Sequence, residues 1–307
     1  MSRRALVTGA TGFVGGRLVS TLAERGYEVR CLARDRGRLS DSTAVGVEVH
    51  EADVLDPGSL TGAGREVEVA YYLIHSMGRG AGGDFEERER QAAGNFARMA
   101  TREGVDRVVY LGGLGESPGS AHLRSRQRTA EILADLGPPL TYFRAGMVVG
   151  AGSESYRTLR SLVQRLPAMI VPAWLETPTQ PIAVDDVIAY LAGAAEVPAS
   201  TGREIQIGGP DVLSYGEMLD LMADALGIRR RPRIPVPLLT PWLSSLWIGL
   251  VTPVDAGVAR PLVEGLSTAT VVTDSSGAEL FDITPMSFDA ALRAALADDP
   301  ELRSDAG

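Results

Sequence analysis

The chain of 307 residues contains no lysine; all 30 of its basic residues are arginine. That excludes Schiff-base chemistry, an ammonium point charge on a ligand, and a lysine that tunes a neighbouring tyrosine. A single cysteine, Cys31, excludes an intrachain disulfide, and its place in a strand-like run suits a small core residue better than a nucleophile. The three histidines, His50, His75 and His122, lie too far apart in sequence to suggest a metal cluster, so no metal is expected. Positive charge is also short. A net charge of −9 and a pI near 5.0 leave no basic surface for nucleic acid or an anionic membrane. Long apolar runs are missing too: the uncharged stretch Ile234 to Val254 is interrupted by Pro235, Pro237, Pro241 and Pro253 and diluted by Thr240, Ser244 and Ser245, so it does not read as a transmembrane span. Met1 to Arg4 leads straight into a strand with no apolar leader, from which a cytoplasmic location is expected. No internal repeat is visible.

What the chain does have is concentrated near its start. Hydrophobic content of 45% and charged content of 22% fit a globular protein with a full core, either one large domain or a large domain with a smaller appendage. Residues 5–18 read ALVTGATGFVGGRL: an apolar strand ending in Thr8, three glycines at Gly9, Gly12 and Gly15, then the helical pattern Phe13, Val14, Leu18, Val19, Leu22. Gly9 permits a tight turn, Gly12 a close approach of a ligand to the backbone, and Gly15 close packing of helix on strand. The helix start offers unpaired amides and a positive dipole end to a diphosphate. A glycine triplet alone describes many ordinary strand–helix turns. Here the second strand, Glu28 to Leu32, arrives about where a βαβ unit of roughly 30 residues places it, and dinucleotide binding is the reading adopted, with Thr8, Gly9, Thr11, Gly12, Phe13, Val14 and Gly15 as the cradle.

The second strand runs into Arg34, whose fork of donors suits a ribose 2′-phosphate where a carboxylate would suit a 2′-hydroxyl, so NADP(H) is expected over NAD(H). A solvated loop arginine is the plainer alternative. Asp53 and Val54, after the strand Val47 to Glu51, either face the adenine or begin a helix that Asp53 caps. A fourth strand, Val67 to Ile74, delivers Leu73, Ile74 and His75 to its carboxyl end, where open α/β sheets bind ligands. His75 is a candidate for proton transfer there, with Tyr72 beside it. A long helix from Phe85 to Glu103, a strand Arg107 to Leu111 ending in Gly112 and Gly113, a helix from His122 to Leu136 and a strand Leu140 to Phe143 leading to Arg144, Ala145 and Gly146 complete the alternation. It predicts an α/β fold: a doubly wound, parallel Rossmann sheet with a smaller C-terminal substrate lobe.

The segments TGATGFVG (8–15), the acidic turn 52–54, VVYLGG (108–113), RAGMVVG (144–150) and QPIAVDDV (180–187) together resemble the extended and atypical short-chain dehydrogenase/reductase superfamily, over about the first 210 residues. Within it YYLIHSMG (71–78) and HLRSR (122–126) resemble an atypical NAD(P)H-binding, oxidoreductase-like branch. The resemblance implies a serine or threonine after the fifth strand and a tyrosine and lysine four apart on the next helix. This chain has Leu111-Gly112-Gly113-Leu114 in the first place and His122 and Arg126 in the second, so all three orthodox catalytic residues are replaced. Arg126 could still hold a ribose or phosphate but not shuttle a proton; His122 could serve as an acid, or simply pack at a helix start.

Residues 1–150 are expected to form the NAD(P)-binding domain, with 180–190 returning to it, 151–297 the substrate lobe, and 298–307 a disordered tail. Asp185 or Asp186 is expected to start a helix from Val187. Ser214 and Glu217 are spaced as a capping box. The uncharged 234–254 segment, with Trp242 and Trp247, reads as the wall of a pocket for an apolar substrate, to which Tyr156 is added, or as a partner or membrane-surface contact, with Arg229 to Arg231 beside it. Two functions follow: an NADP-dependent reductase of a small apolar or lipid-like carbonyl or quinone, or a non-catalytic NADP(H)-binding redox sensor or assembly factor. The oligomeric state is not readable.

Overall fold

Arg4–Thr8 forms the first strand, β1, and all of it beyond Arg4 is buried because both of its faces are covered: Leu6 enters one core, Ala5 and Val7 the other. A central parallel strand must be apolar on both sides, which is why it reads as a continuous run. The computed structural model describes residues 3–39, 47–74, 84–115, 121–165, 169–171, 173–230, 232–235 and 268–304. After β1 come helix α1 (Phe13–Glu24), β2 (Glu28–Ala33), β3 (Val47–Glu51), β4 (Val69–Tyr72), α2 (Asp84–Arg102), β5 (Arg107–Gly113), α3 (Ala121–Leu136) and β6 (Leu140–Ala145). Then follow β7 (Val148–Val149), α4 (Glu154–Arg165), β8 (Met169–Val171), β9 (Pro178–Thr179), β10 (Ile182–Ala183), α5 (Val184–Gly193), β11 (Glu204–Ile207), β12 (Leu213–Ser214), α6 (Tyr215–Ala225), β13 (Arg233–Pro235), α7 (Phe288–Ala297) and α8 (Pro300–Ser304).

Seven strands make one parallel sheet in the order β3-β2-β1-β4-β5-β6-β11. The order reverses between β1 and β4, which opens a crevice at their carboxyl ends. On one face α1 buries Gly15, Leu18, Val19 and Leu22, and α5 lies alongside with Val184, Val187 and Leu191. On the other, Ala93, Phe96, Ala97 and Ala100 of α2 and Leu133 of α3 meet Tyr72, Val108, Tyr110 and Tyr142 of the sheet. Each fully buried leucine or phenylalanine stabilises by about 1.5–3 kcal/mol. Cys31 is in this interior, its thiol pushed up to about 12 by burial, and belongs to the packing.

Several expectations need correction. No helix follows Asp53: residues 54–66 are successive turns, and the Asp53 carboxylate accepts the Leu55 amide at 3.0 Å. Asp185 and Asp186 lie inside the first turn of α5, which starts at Val184 without a side-chain cap; Asp186 accepts the Met286 amide instead, at 2.9 Å. The return to the large sheet extends beyond 180–190, since β11 pairs with β6 as its seventh strand. The capping box of Ser214 and Glu217 is present at the start of α6. The chain end is docked rather than loose as far as Glu301: Asp299 is 4% exposed, accepts the Tyr156 hydroxyl at 2.8 Å and pairs with Arg160, which also pairs with Glu301. Residues 305–307 lie outside the described residues. Arg230 is engaged with Asp224 on α6, at 2.6 Å. Among the described residues no helix is long and apolar enough to cross a membrane.

Candidate dinucleotide site

The cradle follows from the backbone of residues 8–15. Gly9 has φ +69, and a Cβ there would lie 2.5 Å from the Leu73 carbonyl oxygen. Gly15 would put its Cβ 2.1 Å from the Gly9 carbonyl oxygen. Both positions therefore require glycine, one for the turn and one for helix-on-strand approach. Gly12 differs: its φ is −86, it is exposed, and its Cβ would meet only the Gly9 carbonyl oxygen at 3.1 Å. It is the N-cap of α1, no side chain caps the helix, and no acidic residue sits in the first turn. The dipole end and its amides thus face outward with nothing anionic in the way, as a diphosphate requires. Thr11 beside Gly12 is exposed as well, and Phe13 and Val14 are half-buried. Thr8 is fully buried and holds the crevice: its hydroxyl donates to the Tyr71 carbonyl and accepts the Leu73 amide, both at 3.0 Å, tying β1 to the end of β4.

On the β2–β3 side, Arg34 is exposed just past β2 and makes no ion pair among the described residues. Asp35 turns away to accept the Gly37 amide at 2.8 Å, so its carboxylate is occupied. Val54 is buried, and its carbonyl accepts from Asn95 of α2 at 2.9 Å. Asn95 was not anticipated; its only signal is a polar residue beside the buried stripe of Ala92, Ala93 and Phe96.

At the other strand ends the picture is mixed. Leu73 is buried and Ile74 half-buried beside Gly9. His75, Trp242 and Trp247 lie outside the described residues, as does the side chain of His122 on the first turn of α3. Tyr72 is not at the mouth of the sheet: it is 3% exposed and packs on Phe96, with ring centroids 5.0 Å apart, and burial drives its hydroxyl far above the ordinary phenol range. Arg126 reaches the end of β5, donating to the Leu111 carbonyl at 3.2 Å and to the Tyr110 hydroxyl. The space left by Gly112 is filled by the Tyr142 ring, 2.6 Å from a Cβ placed there, and that left by Gly113 by Leu123. Arg144 is 7% exposed and fully committed to the protein: it donates to the Gly113 carbonyl at 3.2 Å, the Gly115 carbonyl at 3.0 Å and Glu204 at 2.7 Å. It fastens β5, β6 and β11 rather than facing a ligand. Ala145 is buried, its carbonyl taking the Leu114 amide, and Gly146 lies against the Gln180 backbone. Tyr156 is fully buried under Asp299, so it does not line an open pocket.

Two further connections escaped the sequence. Gln180 donates to the Gly209 carbonyl at 2.6 Å and accepts the Val272 amide at 2.9 Å, so residues 268–273 are drawn against the strand ends, where Gly115 meets Ala269 and Thr270. Arg17 of α1 crosses to the Ala151 carbonyl at 3.0 Å.

Residues 9–144 match a family model described as NAD(P)H-binding. The chain is 27% identical over 249 residues to the mitochondrial NADH dehydrogenase [ubiquinone] 1 alpha subcomplex subunit 9 of Arabidopsis thaliana, covering 76% of this chain and 61% of that one, so it spans about three fifths of that relative's length. It is 24% identical to an isoflavone reductase homolog of Zea mays, covering 92% of this chain and 93% of that one. In fold it matches an Escherichia coli NADPH-dependent quinone oxidoreductase solved with NADPH, with a TM-score of 0.75, 17% identity and coverage of 94% and 98%. The matched stretch begins in the glycine cradle and ends on β6, so residues 9–144 are similar to an NAD(P)H-binding family, and the seven-stranded parallel sheet that carries them shares its fold with the solved quinone oxidoreductase.

Proposed function

We propose that the protein is an NADP(H)-dependent reductase of a small apolar or lipid-like carbonyl or quinone. The observation that carries the reading is the α1 N-terminus, uncapped, free of acidic residues and open at Gly12, set at the crevice where the strand order reverses. The first turn of α1 would hold the diphosphate, Asp53 and Val54 the adenine side, Arg34 the 2′-phosphate, and Leu73, Ile74 and Arg126 the nicotinamide side. Bound there, the dinucleotide supplies the hydride. The chain itself has to orient the two reactants, exclude water and give up a proton, and His75 and His122 are the candidates for the last of these. Tyr72 and Tyr156 are committed to packing and leave the proposal, and Arg144 belongs to the scaffold.

Purified protein mixed with NADPH and a panel of quinones and aldehydes should consume the reduced cofactor, followed by its absorbance, and His75→Ala or His122→Ala should abolish the turnover. Tight NADPH binding with no turnover on any acceptor would replace this reading with the second one, a non-catalytic redox sensor or assembly factor. Replacement of the whole serine–tyrosine–lysine set favours that second reading, as does likeness to a subunit of a larger NADH dehydrogenase.

The cofactor preference has its own test. Loss of the charge-assisted fork in Arg34→Met should raise the dissociation constant for NADPH by roughly 10- to 100-fold and leave that for NADH within about twofold. Equal effects on both would remove Arg34 from the site.

A further inference from the structure

Arg17 stands one turn beyond Phe13 on α1, and its guanidinium has three engagements. It lies over the Phe13 ring, 4.4 Å from the centroid, donates to the Phe13 carbonyl at 3.1 Å, and crosses to the Ala151 carbonyl at 3.0 Å. Ala151 belongs to the loop that leaves β7, between Gly150 and Gly152. That loop is fitted to the same ring: a Cβ at Gly150 would lie 3.0 Å from the tip of Phe13, and Gly152, at φ +93, would bring its own to 3.5 Å. Between helix and loop runs an open hollow of about 440 Å³, lined by Thr11 and Gly12 of the cradle, Arg17 and Ser20 of α1, and Ala151 and Gly152 of the loop. Arg17 therefore joins the Phe13 ring and Val184 in holding the loop beside the open end of the cradle, and it is the one of the three that reaches Ala151 by a hydrogen bond.

The position of the loop gives this tie a direction. In a doubly wound sheet the adenosine half of a dinucleotide lies over β2 and β3, and the nicotinamide half over the strands on the other side of the reversal. The 150–152 loop follows β6 and β7, on that other side. We propose that Arg17 is a positioning residue for the nicotinamide half: by tying Ala151 to α1 it holds the 150–152 loop against the cradle mouth, without gripping the adenosine half. The inference rests on the reading of the cradle as an NAD(P)H site. It is not a statement about fold stability, because a tie that only held the fold together would affect every part of the ligand alike.

The experiment compares NADPH with adenosine 2′,5′-bisphosphate, which lacks the nicotinamide half, by calorimetric titration of the full chain, Arg17→Met and Arg17→Lys. In Arg17→Met the dissociation constant for NADPH should rise roughly tenfold while that for the bisphosphate stays within about twofold, so the fragment also reports that the variant is folded. Arg17→Lys should fall between the two, since an ammonium can donate to a carbonyl but offers neither the planar stack on Phe13 nor the fork. Unchanged NADPH affinity in Arg17→Met, or equal losses for both ligands, overturns the clamp. An unmutated chain that binds neither ligand overturns the cradle reading itself; the two failures are distinct, because the clamp is judged only against an unmutated chain that binds both.

Discussion

Gly12→Asp is expected to leave the protein folded and to remove its affinity for NADPH. Aspartate is among the best N-caps, better than the glycine it would replace by roughly a few tenths of a kcal/mol, and its charge also suits the positive end of α1. Against that stands one close contact, a Cβ at 3.1 Å from the Gly9 carbonyl oxygen, so the melting temperature should move by only about 2 °C in either direction. Binding responds with the opposite sign: the new carboxylate takes the amides that a diphosphate needs and repels it, and the NADPH dissociation constant should rise by more than about 100-fold. Gly15 is unsuited to the same test. A Cβ there meets backbone at 2.1 Å and would report on folding alone. Calorimetric titration that finds Gly12→Asp binding NADPH like the unmutated chain would place the dinucleotide somewhere other than the first turn of α1.

The second large effect lies at the chain end. Asp299→Ala removes the acceptor of the Tyr156 hydroxyl and leaves Arg160, 7% exposed, with a single outer partner in Glu301. Breaking a buried pair from one side costs about 3–5 kcal/mol, and the melting temperature should fall by roughly 5–15 °C. Acid should reproduce part of the loss. Burial by itself pushes the Asp299 carboxyl up, but the Tyr156 hydroxyl, the Glu301 amide and the charge of Arg160 outweigh it and hold the group below its ordinary value. A carboxyl lowered by folding contributes its stability above the unfolded value of about 3.9 and loses it as the pH drops from there through the folded value. The gap between the unmutated chain and Asp299→Ala should therefore be constant near neutrality and narrow below about pH 4. A variant that melts with the unmutated chain at pH 7 would mean that the docked end adds nothing.

The elements that local pattern dictates are the ones that could be read in advance. The bounds of β3, those of β2 and α3 to within a residue, the need for glycine at 9 and 15 and the Ser214–Glu217 capping box all follow from spacing over a few residues. What could not be read depends on partners far along the chain. Arg144 stands at the carboxyl end of a strand, where ligands bind, and only its bonds to the Gly113 and Gly115 carbonyls and to Glu204, 60 residues on, show that it belongs to the scaffold. Asp299 sits in an acidic, small-residue tail that looks unable to pack, yet its partners lie at positions 156 and 160. Tyr71 and Tyr72 are both buried because β4 is covered on both faces, so alternation gave no means of telling which one approached the crevice. For the turns after Asp53, the deciding feature is Glu103: its two carboxylate oxygens take the Gly62 and Gly64 amides at 2.7 and 2.6 Å, which holds the segment in turns from 40 residues away.

The way β11 completes the large sheet also bears on how the C-terminal part of the chain can shift against it. The chain leaves the sheet after β6, builds α4, comes back through α5 and β11, departs again for α6 and α7, and between the two visits lays Phe281 against Phe143 and Tyr190. The C-terminal part is thus joined to the large sheet by several crossings of the chain, so any displacement between them has to bend or slide more than one segment at once.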